Sequence, residues 1–247
     1  VVKKNTFESY PLSRSHLEVD NSGVMSREEA METVLSGMGE GIIISTTGMT
    51  SRELFELREK NKEGHEKDFL TVGSMGHASQ IALGVALEKP ERKIFCFDGD
   101  GALIMHMGSL AIIGQAKPKN FRHIIFNNFV HDSVGGQPTA AKVINIPAIA
   151  KANGYQESYS VQTKKELERA IRQTQNTNGP VLIEIKVKKG ARKDLGRPAG
   201  TPQENKKLFM DFLSGESARQ LKAILAKHKP KNVFLVTGKS SFELSGA

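Results

Sequence analysis

The sequence contains one cysteine, no tryptophan and no long hydrophobic run among its 247 residues. A single cysteine cannot form an internal disulfide, and Cys96 lies in an apolar strand pattern that predicts a buried, unreactive thiol. No stretch reaches the roughly 18 consecutive apolar residues of a membrane-spanning helix, and the opening VVKKNTFESY lacks the order of a signal peptide. We therefore expect a soluble, cytoplasmic protein that does not bind membranes.

Aromatic residues are scarce, at 6%, although the formal net charge is +8. Proteins that bind nucleic acids by base stacking need aromatic side chains within a basic surface. Here the basic residues are spread along the chain, except for a cluster at residues 186–193. This pattern argues against nucleic acid as a partner, and a basic excess also suits a protein whose ligands are small anions.

The most informative stretch is a predicted strand–helix–strand unit that ends at residue 128. Apolar runs at 93–97 and 124–126 predict buried strands, with a helical pattern between them. Gly99-Asp100-Gly101 follows the first strand and Asn127-Asn128 follows the second. The carboxyl ends of parallel strands lie at one edge of a sheet, so these polar residues are expected to meet. Their oxygens and glycines suit Mg²⁺ and a diphosphate; the alternative is an ordinary strand-to-helix turn and a polar loop cap.

Two further strand-to-helix junctions carry residues that suit an anion site. The apolar run 42–44 is followed by the hydroxyl-rich loop STTGMTS at 45–51, and the run 69–72 is followed by GSMGH at 73–77. Small residues and hydroxyls at a helix start favour bound phosphate, although the hydroxyls could equally serve only as helix caps. Together the junctions predict an α/β fold, a mostly parallel central sheet with helices on both faces.

The GDG and NN sequences resemble the cofactor motif of thiamine-diphosphate enzymes. Three loops narrow the resemblance, because STTGMTSREL, TVGSMGHASQ and HDSVGGQPT look like those of phosphonopyruvate decarboxylases, with sulfopyruvate decarboxylases next. The resemblance covers roughly residues 1–215 and departs from the family pattern at Phe129, where glycine usually follows the asparagine pair. It implies the thiamine-diphosphate-binding fold, with thiamine diphosphate and Mg²⁺ as cofactors.

The resemblance assigns roles to residues at the strand ends. Mg²⁺ would be held by the side chains of Asp100 and Asn128 and by the backbone carbonyl of Val130. The cofactor would contact these three residues and also Thr47, Gly48, Gly73, Ser74, Met75, Gly99, Gly101 and Ala102. Met75 would lie between the two rings of the bent cofactor, whereas the alternative is that it fills the core. His131 and Asp132 would be catalytic, and Ser133, Gln137 and Thr139 would bind the substrate.

The activity that the resemblance implies is decarboxylation of 3-phosphonopyruvate to phosphonoacetaldehyde and CO₂, a carboxy-lyase reaction of phosphonate biosynthesis. Sulfopyruvate or another 2-oxoacid is the alternative substrate. The alternative of another class is a non-catalytic regulatory domain that binds the cofactor. A nicotinamide-binding dehydrogenase would need the spacing G-x-G-x-x-G, and residues 99–104 lack its third glycine.

The glutamate that thiamine-diphosphate enzymes place at the aminopyrimidine has no counterpart in this sequence. Glu40, Glu53 and Glu184 come nearest by local context, but they fall at a helix end, on a helix and in a late strand. The resemblance therefore implies that a pyrimidine-binding domain of the same or another subunit completes the active site, in a homo-oligomer.

Three segments are predicted along the chain. Residues 1–24 would be a linker or the tail of an upstream pyrimidine-binding domain, and residues 25–215 the thiamine-diphosphate-binding domain. Residues 216–247 would be an extension that could begin a further domain, since the last 16 or so residues resemble the start of iron-containing alcohol dehydrogenases. The GKS sequence at 238–240 is not a P-loop, because Val233 stands where the first glycine would be.

The remaining elements follow from capping and periodicity. Capping boxes at Ser26 and Thr163 predict helix starts. Residues 203–213 and 217–229 predict two separate helices near the end of the chain, and residues 233–236 predict a strand.

Overall fold

The computed structural model describes residue 6 and residues 24–228, with the backbone alone described for residues 216–224 and 228. Its helices are α1 (Arg27–Met38), α2 (Met49–Asn61), α3 (Ala78–Glu88), α4 (Asp100–Met105), α5 (Ser109–Ala116), α6 (Ile146–Ala152), α7 (Lys164–Thr174) and α8 (Pro202–His228). Its strands are β1 (Ile42–Ser45), β2 (Asp68–Leu70), β3 (Ile94–Gly99), β4 (Phe121–Asn127), β5 (Val130–His131), β6 (Gln137–Pro138), β7 (Glu157–Val161) and β8 (Val181–Lys186). Short 3₁₀ helices, Asp132–Val134 and Ala140–Lys142, flank β6.

Six strands form one sheet in the order β2-β1-β3-β4-β8-β7. Every neighbouring pair in this sheet is parallel. Strands that are buried on both faces of a parallel sheet read as nearly continuous apolar runs, which is why the runs 42–44 and 94–97 could be recognised as strands. The strands β5 and β6 form a separate antiparallel hairpin.

Alternate side chains of the sheet enter two hydrophobic cores. Ile43, Phe95 and Phe97 pack with residues of α1, α2 and α7 on one face. Ile42 and Cys96 pack with residues of α3, α5, α6 and α8 on the other face. Successive side chains of a strand point to opposite faces, so one apolar run serves both layers. The predicted α/β class is confirmed, and Cys96 is buried and free, as expected.

The strand order creates a topological switch point between β1 and β3. From β1 the chain passes through α2 to β2 on one side, and from β3 it passes through α4 and α5 to β4 on the other side. The two connections also pack on opposite faces of the sheet, α2 in one core and α4 in the other. In open α/β sheets, ligands bind in the crevice outside the carboxyl ends of the strands at such a point.

Both predicted capping boxes are present. The Ser26 side chain accepts from the Glu29 N–H at the start of α1, and the Thr163 side chain accepts from the Glu166 N–H at the start of α7. In each case the glutamate bonds back to the backbone of the capping residue, which satisfies donors that a helix start leaves free.

Several elements differ from the predicted ones. α8 is one helix of 27 residues where the sequence predicts two, because a glycine such as Gly215 inside a helix costs only about 1 kcal/mol. The helical pattern after Gly99 divides into α4 and α5, and the patterns do not predict β7 or the β5–β6 hairpin. The predicted strand 233–236 and most of the predicted linker 1–24 lie outside the described residues. No helix in the described part of the chain is long and apolar enough to cross a bilayer.

The packing of α5 yields a stability prediction. A Cβ at Gly114 would lie 1.6 Å from the backbone oxygen of Asn153, whereas a Cβ at Gly84 in α3 would meet nothing within 4 Å. We expect Gly114→Ala to lower the free energy of unfolding by about 2–3 kcal/mol, because backbone cannot give way as a side chain can. The control Gly84→Ala should raise it by up to about 1 kcal/mol. Urea unfolding compares the two, and equal effects would contradict this packing.

Candidate functional site

A cleft opens at the carboxyl ends of β1, β3 and β4, next to the switch point. Residues from well-separated parts of the chain line it. They are Arg27, Thr46, Thr47, Gly48, Met49, Thr50, Met75, Gly99, Asp100, Gly101, Ala102, Phe126, Asn128, Val130, His131, Asp132 and Ser133. Most of the site residues that the resemblance indicates are in this set, and Gly73, Ser74, Gln137 and Thr139 are outside it.

The start of α2 forms one end of the cleft. Gly48 is its N-cap residue with a φ of 102°, and no side chain caps the helix. The hydroxyl oxygen of Thr46 is buried and has no hydrogen-bond partner among the described residues. The Ser51 hydroxyl, by contrast, donates to the Thr46 carbonyl at 2.7 Å and closes the turn. Uncapped N–H groups and a free hydroxyl are donors that suit a phosphate.

The loop after β2 lies beside this end. The Thr47 hydroxyl oxygen accepts a hydrogen bond from the Gly73 N–H at 3.1 Å. Gly73 and Ser74 have φ angles of 75° and 48°, a region that glycine adopts without strain and serine does not. The turn directs Met75 into the cleft, where it is partly buried and belongs to neither core cluster.

A buried carboxyl group lies at the other end of the cleft. Asp100 is the first residue of α4, and its side chain is only 2% exposed. Burial raises the pKa of the Asp100 carboxyl to about 6, although hydrogen bonds from Thr139 and from backbone N–H groups act in the opposite direction. A carboxylate whose charged form is disfavoured by burial gains most from a cation bound beside it.

The two asparagines after β4 have different partners. Asn127 donates to Glu184 Oε1 at 2.7 Å and does not line the cleft. Asn128 donates from Nδ2 to Asp132 Oδ2 at 2.6 Å, and its Oδ1 accepts the Val130 N–H at 3.2 Å. Since Nδ2 is directed to Asp132, the amide has a fixed orientation, and Oδ1 is the atom left to contact a cation.

Asp132 connects the cleft to two other segments. Its Oδ2 accepts the Gly190 N–H at 3.1 Å and lies 3.5 Å from the Arg27 guanidinium. Arg27 is buried and donates two hydrogen bonds, of 2.6 and 2.9 Å, to Glu53. Burial alone would lower the pKa of Arg27, but the hydrogen bond and charge of Glu53 outweigh it and raise the pKa, so the guanidinium stays charged. Asp132 therefore holds Asn128, α1 and the segment after β8 together.

The β5–β6 hairpin brings part of the predicted catalytic and substrate set to the cleft. His131 packs against Gly101, where a Cβ would come within 2.5 Å of the imidazole ring. Ser133 lines the cleft, and the Thr139 hydroxyl donates to the carboxylate at the start of α4. Gln137 is exposed and lies outside the cleft.

These groups fit a divalent cation that carries a diphosphate. Mg²⁺ prefers oxygen ligands, and the cleft offers a carboxylate, an amide oxygen and backbone carbonyls at one end. The free hydroxyl of Thr46 and the uncapped start of α2 lie at the other end, where a phosphate would find donors.

Comparison with protein families identifies the fold around this cleft. Residues 46–185 match the model of the thiamine pyrophosphate enzyme C-terminal TPP binding domain. The chain belongs to this family. The matched region contains every residue that lines the cleft except Arg27, and the expectation of a thiamine-diphosphate-binding domain is confirmed.

Several curated relatives are similar over most of the chain. The phosphonopyruvate decarboxylase of Streptomyces viridochromogenes is 37% identical over 190 residues, which are 76% of this chain and 46% of the relative. That of Streptomyces hygroscopicus is 38% identical over 188 residues, 76% of this chain and 45% of the relative. The sulfopyruvate decarboxylase subunit beta of Methanococcus maripaludis is 32% identical over 164 residues, 66% of this chain and 85% of the relative. The chain thus spans about half the length of the phosphonopyruvate decarboxylases that it matches.

A solved structure supports the fold alone. It is that of a candidate thiamin diphosphate-dependent enzyme from Mycobacterium smegmatis, with a TM-score of 0.54 and 16% sequence identity. The match covers 67% of this chain and 32% of that one.

Sequence patterns do not indicate the ion pair between Arg27, which lines the cleft, and Glu53. Each stands on a helix, where a charged residue is typical of a solvated face, yet they are 5% and 2% exposed and bonded to each other. No local signal marks such a pair, because its partners are 26 residues apart. Thr46, Met49 and Thr50 could be predicted as site residues, because they belong to the hydroxyl-rich loop after β1, which is a local signal.

The turn after the asparagine pair yields a second prediction. Phe129 has a φ of 63°, and its N–H still donates to Asn127 Oδ1 at 3.0 Å. A residue with a Cβ is strained there by about 1–2 kcal/mol. We expect Phe129→Gly to be about 0.5–1 kcal/mol more stable than Phe129→Ala, because both lose the ring, only alanine keeps the strain, and glycine has the larger unfolded-state entropy. Equal midpoints in urea unfolding would show that the turn is unstrained.

Proposed function

We propose that this chain supplies the diphosphate- and Mg²⁺-binding half of a thiamine-diphosphate-dependent decarboxylase that converts 3-phosphonopyruvate to phosphonoacetaldehyde and CO₂. One observation carries the proposal. The buried Asp100 carboxyl and the oriented Asn128 amide share a cleft with the unpartnered hydroxyl of Thr46, at the switch point of a parallel sheet. The similarity to two kinds of decarboxylase supports the reaction class.

Different groups of the chain would hold the Mg²⁺ ion and the diphosphate of the cofactor. Asp100, Asn128 Oδ1 and the Val130 carbonyl would hold Mg²⁺. Thr46 and the N–H groups at the start of α2 would face the diphosphate, together with residues 47–48 and 99–102. The strained turn at 73–74 directs Met75 into the cleft, where it would support the bent form of the cofactor. When bound, the thiazolium ring supplies the electron sink that accepts the pair left by departing CO₂.

Among the predicted catalytic and substrate residues, the contacts favour different roles. His131 and Ser133 line the cleft and are proposed to contact the substrate. Asp132 is better placed as a positioning residue, since its Oδ2 is occupied by Asn128 and by the Gly190 N–H. Thr139 would hold the Asp100 carboxylate. Gln137 would reach a substrate only from the exposed face of the hairpin.

Sulfopyruvate is the second candidate substrate. The observation that favours it is the extent of the match to the sulfopyruvate decarboxylase subunit beta, of which this chain covers 85%. A sulfonate carries one negative charge and a phosphonate up to two. A cationic group near the hairpin would therefore favour the phosphonate, and Lys189 Nζ lies 3.4 Å from the Gly136 carbonyl oxygen there.

The site is proposed to be completed by a pyrimidine-binding domain of the same or another subunit, in a homo-oligomer located in the cytoplasm. Among the cleft residues that the structure describes, the carboxylates are Asp100 and Asp132, and both have partners within the chain. Neither is free to serve the aminopyrimidine. The proposed domain is residues 25–215, and residues 1–24 and 216–247 remain proposed as linker and extension. The relative named as a subunit beta supports a site shared between chains.

Cofactor binding tests the proposed ligands. Asp100→Asn keeps the shape of the side chain and removes its charge, so we expect Mg²⁺-dependent affinity for thiamine diphosphate to fall tenfold or more, about 1.4 kcal/mol. The melting temperature should not fall, because burial opposes the native carboxylate. Calorimetric titration at fixed Mg²⁺ measures the affinity, and Asp211→Asn on the exposed side of α8 is the control. Unchanged affinity in Asp100→Asn would reject the assignment.

Turnover tests the reaction and the half-site together. The chain should form no phosphonoacetaldehyde from 3-phosphonopyruvate with thiamine diphosphate and Mg²⁺ alone, and should do so when a pyrimidine-binding domain is supplied by fusion or as a second chain. We expect kcat/KM for sulfopyruvate to be at least tenfold lower. Comparable turnover by the chain alone would contradict the half-site, and faster turnover of sulfopyruvate would select the second candidate.

A further inference from the structure

A line of buried polar side chains ends at the turn that carries Asp100. The Tyr155 hydroxyl and His123 Nδ1 lie 3.1 Å apart. His123 Nε2 lies 3.5 Å from Asp98 Oδ2, and the other oxygen of this carboxyl accepts the Gly99 N–H at 2.9 Å. Asp98 and His123 are 0% exposed, and Tyr155 is 3% exposed. The line therefore crosses the core and ends on the backbone of the residue before Asp100.

Burying these polar side chains in the core costs free energy. Cys96, Tyr155 and Phe121 of this region belong to an otherwise apolar cluster under α3, α5 and α6. His123 lies opposite Cys96 in the β3–β4 register. Buried polar atoms without good partners cost free energy, and sequences break such rules mainly at functional sites. Packing of the two strands does not by itself require polar side chains at these positions.

We propose that Asp98 and His123 are positioning residues of the cofactor site, which hold the Gly99 peptide so that the Asp100 carboxyl enters the cleft. The inference rests on the proposed role of Asp100 as a Mg²⁺ ligand. Gly99 is the last residue of β3 and the N-cap of α4. The Asp98 carboxyl accepts the N–H of the Asp98–Gly99 peptide. This bond restricts the backbone at Gly99, the residue from which the first side chain of α4 follows.

One arrangement of protons gives each contact of the line a donor and an acceptor, including the long contact between His123 and Asp98. Burial raises the pKa of the Tyr155 hydroxyl well above its usual value, so the hydroxyl keeps its proton and can donate to His123 Nδ1. The imidazole then carries its proton on Nε2, facing Asp98. The 3.5 Å separation is longer than an ordinary hydrogen bond, and neither atom has another partner among the described residues.

A metal ion is the competing explanation for this cluster. Ligand atoms of Cys96, Asp98 and His123 all lie within 4.8 Å of one another. Buried structural zinc sites, however, are closed by four protein ligands, and this group offers three in a tightly packed core. The line of polar contacts also accounts for the Tyr155 contact and for the Gly99 contact.

Two replacements of His123 separate positioning from packing. His123→Gln places an amide group near the position of Nε2, so Asp98 keeps a hydrogen-bond donor. His123→Asn places the amide group near the position of Nδ1, so Asp98 loses its donor. We expect the dissociation constant for thiamine diphosphate with Mg²⁺ to change less than threefold in His123→Gln and to rise tenfold or more in His123→Asn. The full chain is titrated calorimetrically, and melting temperatures are measured in parallel. If His123→Asn does not fold, Tyr155→Phe replaces it, with an expected rise of threefold or more.

The controls decide between the explanations. Cys96→Ala removes packing in the same cluster without breaking the line, so it should lower the melting temperature and leave the dissociation constant unchanged. Affinities that simply follow the loss of melting temperature across all variants would overturn the positioning role. So would one metal ion per chain by elemental analysis that disappears in Cys96→Ala. If Asp100→Asn binds normally, the proposed cofactor site itself is wrong; if Asp100→Asn binds weakly and His123→Asn normally, only this inference fails.

Discussion

The parallel register of β3 and β4 is the constraint on which the site depends. Gly99 lies opposite Phe126, so Asp100 and the pair Asn127-Asn128 follow side by side at the edge of the sheet. A shift of one residue would exchange the two faces of a strand and would put Phe97 and Cys96 into each other's cores. The hydrophobic alternation that sorts the two cores therefore also sets which polar side chains meet at the edge of the sheet.

The buried acids of the domain show how a structural carboxylate differs from a ligand. Asp68 bonds Arg58 at 2.8 Å and Glu53 bonds Arg27 at 2.6 Å, so each has a guanidinium partner. Asp100 has hydroxyl and backbone donors, and among residues 24–228 no lysine or arginine is paired with it. A buried carboxylate without a countercharge is unfavourable unless a cation arrives. Among the described residues the buried Asp98 and Glu184 also lack a lysine or arginine partner, but neither lines the cleft. The missing countercharge together with its place in the cleft singles out Asp100.

The sequence predicts the features that depend on residues close together in the chain, and it does not predict contacts between residues far apart in the chain. Strands β1 to β4, the two capping boxes and the loops at these strand ends are determined by neighbouring residues, and the sequence predicts them; it does not predict β7 or the β5–β6 hairpin. The Arg27–Glu53 pair and the contact of Asp132 with Gly190 join positions 26 and 58 residues apart, so no local pattern indicated them. Phe129 is a different case, because the contacts at its turn are local: Asn127 and Asn128 each accept the N–H two residues on. The resemblance marks this position as usually glycine, whereas phenylalanine itself does not indicate the left-handed backbone. The identity of the cofactor came from the family resemblance. The spacing of polar residues alone predicts only an anion bound with a metal ion.

The surface around the cleft bears on why the chain would need a partner. Val72, Met105, Val134 and Val143 are 70%, 56%, 62% and 85% exposed, and each belongs to a segment that adjoins a strand end or the hairpin beside the cleft. Single exposed apolar residues are ordinary, but these four stand in segments that follow β2, follow β3, or lie within and after the β5–β6 hairpin. Burying them against a second domain would release water from apolar surface and favour association. This apolar surface adds to the argument for the proposed site between two domains.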